Sequence, residues 1–156
     1  MTRPTDIKPR EGDRPGTYAP VFRPGTALPE TRFTITPDIV AEYIAAVDAD
    51  PRNYRIGGRQ AAPPNVLAVY LLAVIYRLYP PTQGIILAKQ EWDFHDVVWA
   101  DEDTPVVAGG TVLDVRHRRA KDFVSWAATF DRENGTRIAA ARNEFYVPTP
   151  EESTLA

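Results

Sequence analysis

The chain has 156 residues, 44% of them hydrophobic, which suits one domain with a substantial core. Its formal charge of −3 and pI of about 5.4 argue against nucleic acid or an anionic membrane as partner. The absence of cysteine excludes disulfides, thiol nucleophiles and cysteine-ligated metals.

The first residues, Met1-Thr2-Arg3-Pro4-Thr5-Asp6, have no apolar run behind them and do not read as a signal peptide. The longest apolar run, residues 61 to 76, is interrupted by Pro63, Pro64 and Asn65 and falls short of the roughly 20 residues a bilayer span needs. A cytoplasmic protein without membrane contact is expected.

Residues 1–30 carry Pro4, Pro9, Pro15, Pro20, Pro24 and Pro29, a spacing hostile to helix and central strand. They read as an extended arm, either free or pinned to the domain or a second subunit by Tyr18, Val21 and Phe22. A short strand is expected over residues 32–35. Thr36-Pro37-Asp38 then opens a helix, with Thr36 as cap, Pro37 at the first position and Asp38 at the positive end of the dipole. Ile39, Val40, Tyr43, Ile44 and Val47 form its apolar stripe, and it should end before Pro51.

A second helix is expected over residues 65–78, between Pro63-Pro64 and Pro80-Pro81, apolar nearly all round and therefore buried on most sides. From Ile85 the period becomes two. Strands are expected at residues 89–95, 106–115, 123–130 and 137–147. Asn134-Gly135 signals a type I′ hairpin, Arg118 to Asp122 a polar turn, and Gly109-Gly110 a bulge. The sum is α+β: one long antiparallel sheet wrapped around a central apolar helix, over residues 31–148, with a tail at 149–156.

Four segments, in order, resemble the MaoC-like dehydratases, which have the hotdog fold, and especially their N-terminal-type domain related to fatty-acid-synthase dehydratases. Phe33-Thr34-Ile35-Thr36-Pro37-Asp38 is similar to the family's first strand and helix. Val47-Asp48-Ala49-Asp50-Pro51 is similar to its Gly-Asp-x-Asn-Pro segment. Ala62-Pro63-Pro64-Asn65 resembles its Ala-Pro-Pro-Thr approach to the central helix. Gln90-Glu91-Trp92-Asp93-Phe94-His95 resembles its Glu-Trp-Glu-Phe-His strand. The resemblance implies an acyl-thioester substrate, presented by coenzyme A or a carrier protein, and hydration or dehydration at its β-carbon by an Asp and a His five positions apart. With two histidines, no cysteine and no phosphate-binding glycine loop or serine-centred triad in the sequence, no metal and no cofactor are expected.

Placed on that pattern, Asp48 stands at the aspartate and Asn53 where the histidine belongs. Asparagine hydrogen-bonds but does not shuttle protons near neutral pH. Pro64 stands at a glycine whose N–H serves the thioester oxygen in catalytic members, and proline has no N–H. Asp48 and Asn53 are the expected catalytic pair of a modified site. Tyr54, Pro64, Asn65, Tyr70, Trp92 and His95 are the expected substrate contacts. The basic run Arg116-His117-Arg118-Arg119 reads as a solvated turn or a phosphate contact.

Three functions fit: an enzyme that hydrates, dehydrates or cyclises an acyl or polyketide-type chain; a non-catalytic partner in a heteromeric hotdog hydratase; or an acyl-chain binding module. Pairing of hotdog subunits, in a homodimer or a heterodimer, is expected from the open sheet edge such a domain leaves.

Overall fold

The computed structural model describes residues 2–9, 12 and 14–153. The expected arm and tail therefore lie partly outside it, at residues 1, 10, 11, 13 and 154–156. The element order is α1 (Pro4–Ile7), β1 (Ala27–Ile35), α2 (Pro37–Ala46), β2 (Arg55–Ile56), β3 (Arg59–Gln60), α3 (Ala68–Tyr76), β4 (Ile86–Phe94), β5 (Thr104–Arg118), β6 (Lys121–Arg132), β7 (Arg137–Val147) and α4 (Pro150–Ser153). Short 3₁₀ turns occupy Ala19–Val21, Pro51–Tyr54 and Pro64–Leu67, the last running directly into α3.

The large sheet is antiparallel, in the order β1-β5-β6-β7-β4, and β2 pairs only with β3. Alternation sends Val124, Trp126, Ala128 and Phe130 of β6 inward, with Ala139, Ala141 and Phe145 of β7, and Ile138 is buried at the register shift where Phe130 pairs with Ala139 and Asp131 with Arg137. They face Val66, Leu67, Tyr70, Leu71, Val74 and Ile75 in one core. The expected buried rod is present, although its first turn is 3₁₀ and its α-helical part ends at Tyr76. It lies in the curl of the sheet, as a hotdog domain requires.

Several local expectations change. The first strand begins at Ala27, inside the segment expected to be arm, because Pro29 sits on an edge strand where its missing N–H costs no ladder bond. The bulge expected at Gly109-Gly110 lies on the partner strand: Leu28 pairs with Gly110 and Thr31 with Ala108, so Pro29 and Glu30 together face Gly109. Gly110 has a different reason to be glycine, since a Cβ there would run into the Ala127 carbonyl.

Asn134-Gly135 does not form the expected two-residue turn. The Gly135 N–H donates to the Arg132 carbonyl (2.9 Å), and within this pair only Gly135 has positive φ. In the large sheet, a two-residue turn with both φ positive is found instead at Arg119-Ala120, between the paired Arg118 and Lys121.

The N-terminal segment is pinned. Pro4 is tolerated as the first residue of α1. Phe22 is buried and stacks on Tyr79 with ring centroids 4.3 Å apart, whereas Val21 is exposed. The Thr17 N–H donates to the Pro80 carbonyl, and the Thr82 hydroxyl donates to the Thr17 carbonyl. Arg3 pairs with Glu42 at 2.6 Å.

Tyr70 is wholly buried, stacked on Phe33 at 4.0 Å, and its hydroxyl donates to the Thr2 carbonyl at 2.8 Å. Burial, then the nearby Asp6 and Glu42, pushes this phenol up to about 12. Tyr70→Phe should therefore cost about 1 kcal/mol, one net hydrogen bond, and speed proteolysis of the N-terminal segment. A denaturation midpoint and cleavage rate equal to those of the parent protein would refute this anchoring role.

Candidate functional site

Helix α2 starts as its sequence dictates, with the Thr36 hydroxyl accepting from the Ile39 N–H, and ends at Val47. Asp48 follows with φ of +50°, the left-handed conformation that stops helices and that Asp tolerates better than most residues. Asp50 then caps the next turn, accepting from the Arg52 N–H and holding its guanidinium. That guanidinium keeps the Asp50 carboxyl below its usual range. The turn carries Asn53 and Tyr54 beneath the start of the central helix.

The next piece is a hairpin that the sequence reading above missed. Gly57 and Gly58 both have positive φ and join β2 to β3, as a Gly-Gly turn between short strands should. Three contacts hold it down. Arg59 forms a bidentate pair with Asp101 and reaches Glu102 at 2.7 Å. The same guanidinium lies over the Trp99 ring, 4.4 Å from its centroid. The Gln60 amide donates to the carbonyls of Pro51, Tyr54 and Ala61. Backbone bonds from Ala62 N to Val98 O and from Ala100 N to Gln60 O then bind residues 60–62 to the segment after β4.

Between these pieces and the first turn of the helical rod lies a cavity of about 340 Å³. Its apolar wall includes Ala62, Val66, Leu67, Phe94, Val98 and Ile138, and its polar groups include Asn53, Tyr54, His95 and Asp96. A second cavity of about 440 Å³, walled by Tyr43, Val47 and Asn65, shares Tyr54, Pro63, Pro64 and Phe94 with the first. Burial, and then Tyr54, raises the Tyr43 phenol. Asp96 accepts from Arg132 Nε at 2.7 Å, and Arg132 also donates to the Val97 carbonyl. That guanidinium holds the Asp96 carboxyl below its usual range.

The expected site residues divide. Asn53, Tyr54, Pro64 and His95 come together around the first cavity, and Asn65 borders the second. Asp48 does not join them: it is exposed at the end of α2, in a left-handed conformation, and lines neither cavity. Tyr70 is a core residue tied to the N-terminal segment, not a cavity contact. Trp92 stands behind the wall, stacked on Phe94 and Phe130, both at 5.5 Å. In the basic run, His117 pairs with Asp122 at 2.8 Å, and Arg116 pairs with Asp114 and Glu144. Among the described residues no group of three His, Asp or Glu is placed to hold a metal ion. Among the described residues no helix is long and apolar enough to cross a membrane.

The fold is that of the hotdog hydratases and dehydratases. The chain superimposes on the unliganded R-hydratase PhaJ1 from Pseudomonas aeruginosa with a TM-score of 0.64 and 16% identity, over 84% of this chain and 85% of that one. It matches the (3R)-hydroxyacyl-ACP dehydratase complex HadBC from Mycobacterium tuberculosis with a TM-score of 0.66 and 18% identity, over 79% and 96%. A MaoC-like dehydratase from Rhodospirillum rubrum gives 0.66 and 15%, over 86% and 99%. No family model and no curated protein matches the sequence.

Proposed function

We propose that the chain binds an acyl thioester in the cavity beneath the central helix and adds water to, or removes it from, the acyl chain. One observation carries this reading: His95 and Asn53 line one apolar cavity at the helix start, on a hotdog frame. Imidazole is the side chain suited to take and return a proton near neutral pH.

In the hydration direction, His95 takes a proton from water as its oxygen bonds to the β-carbon of the enoyl chain. The π electrons move onto the thioester oxygen, and the imidazolium returns the proton to the α-carbon. Asn53 orients the water, a role an amide can fill without titrating. Asn65, the first residue after Pro63-Pro64 with an N–H to offer, borders the adjoining cavity that shares Tyr54, Pro63, Pro64 and Phe94 with this one, and is the donor for a thioester oxygen lying where the two meet. Asp48 has no part in this scheme. Ring closure of a longer chain needs positioning only, and a histidine in the wall favours proton transfer over it.

The test is incubation of the pure protein with a trans-2-enoyl thioester, following the enoyl absorbance. Loss of absorbance with formation of the 3-hydroxyacyl product is the expected result. A flat trace on coenzyme A and carrier-protein thioesters alike would refute it. The second reading, a non-catalytic half of a two-chain hydratase, draws on Asn53 and Pro64, which supply neither the family's histidine nor its N–H. It requires a flat trace alone and turnover only with a second hotdog chain.

A further inference from the structure

The two adjoining cavities differ in charge. No charged side chain lines the one walled by Tyr43, Val47 and Asn65. The one that holds His95 is also lined by Arg55 and Asp96. Asp96 is already paired with Arg132 at 2.7 Å. Arg55 has no such counterpart: among the described residues no ion pair or hydrogen bond engages its side chain, whereas its neighbours Arg52 and Arg59 are both held by carboxylates. An arginine without an anion, beside a largely apolar cavity, offers its charge and its fork of donors to a ligand.

The backbone that carries this guanidinium is fixed. Arg55 pairs with Gln60 across the Gly57-Gly58 turn, and Gln60 is tied by its amide to Pro51, Tyr54 and Ala61. Its place relative to the chemistry is also defined. His95 and Asn53 line only the first cavity, so the β-carbon and the rest of the acyl chain occupy that one, and the carrier's arm takes the other. Arg55 lines the first alone. It therefore meets the far end of the acyl chain and not the phosphates of the carrier. At about 340 Å³ this cavity is at the small end of ligand sites, which suits a short chain.

We infer that Arg55 selects acyl chains whose far end is a carboxylate, so that the substrate is the mono-thioester of a short dicarboxylic acid. This rests on the function proposed above for the direction in which the thioester lies. Binding of a saturated thioester, which cannot be hydrated, tests it without turnover.

The experiment is calorimetric titration of the full chain with two pantetheine thioesters, hexanedioyl and hexanoyl, which differ only in the carboxylate and carry no phosphate. The parent protein should bind the first at least about tenfold more tightly. In Arg55→Gln the ratio should fall to about one, and in Arg55→Lys it should recover in part, since the charge returns without the fork. Circular dichroism confirms that each variant is folded. The kcat/KM values for the corresponding trans-2-enoyl pair should follow the same order. A carboxylate preference in binding with no turnover of either enoyl thioester leaves the inference standing and refutes the hydration reading. Equal binding of the two chains, or binding of neither, overturns the inference. So does a preference that survives in Arg55→Gln. A preference for coenzyme A over pantetheine thioesters that Arg55→Gln removes, with no preference between the chain ends, also overturns it and gives the guanidinium to the carrier's phosphates.

Discussion

His95→Gln should abolish most hydration of an enoyl thioester, lowering kcat by about 10²–10⁴-fold, the usual contribution of a positioned acid–base group. The substitution keeps a hydrogen-bonding side chain of similar reach and removes only the capacity to move a proton. The fold should not change, because the side chain is exposed and the strand's local tie is made by backbone: the His95 N–H donates to the Ile138 carbonyl at 2.8 Å. The informative partner is Asp48→Asn, which should leave kcat within about twofold, since the carboxylate lies outside both cavities. The opposite pattern, activity lost at position 48 and kept at position 95, would return the chemistry to the loop after α2 and end the present assignment.

That contrast shows where the sequence was informative and where it was not. The long strands were legible because alternation is a direct consequence of one wet and one dry face: Val124, Trp126, Ala128 and Phe130 are buried as the period-two pattern requires. The central rod was legible because prolines bracket a stretch with hardly a polar residue. The direction of Asp48 was not, because a motif records spacing, while one left-handed residue at a helix end decides where its own side chain points. The hairpin at Gly57-Gly58 did carry a signal, two glycines between short extended stretches, obscured by strands of two residues each. The Asp96–Arg132 pair spans 36 positions and becomes visible only when β7 brings the neighbouring strands together. Arg119 and Ala120 form their tight turn inside the polar stretch Arg118 to Asp122 where a turn is expected, but neither residue type favours the positive φ both adopt, so the turn's type was not legible.

The second large effect is expected at Phe130→Ala, a stability loss of about 3–5 kcal/mol. Phe130 is wholly buried and packs against side chains from both edge strands of the curled sheet: Phe33 of β1 packs edge-on at 6.4 Å, and Trp92 of β4 stacks at 5.5 Å. Removing the ring leaves a void with neighbours from two strands that are themselves hydrogen-bonded elsewhere in the sheet, so neither can collapse fully into it. The loss should appear as a lower denaturant midpoint at unchanged slope, the sign of a weaker native state rather than an altered denatured one. A loss below about 1 kcal/mol would mean that Trp92 and Phe33 close the gap and that the packing is looser than described. The consequence for the site follows from the stack. Trp92 leans on Phe130, Phe94 leans on Trp92, and Phe94 forms part of the wall of both cavities. Under conditions where the variant remains folded, it should bind an acyl thioester more weakly than the parent protein. His95→Gln should show the complementary result, with binding retained and turnover lost, and this pair separates the wall that holds the chain from the group that moves the proton.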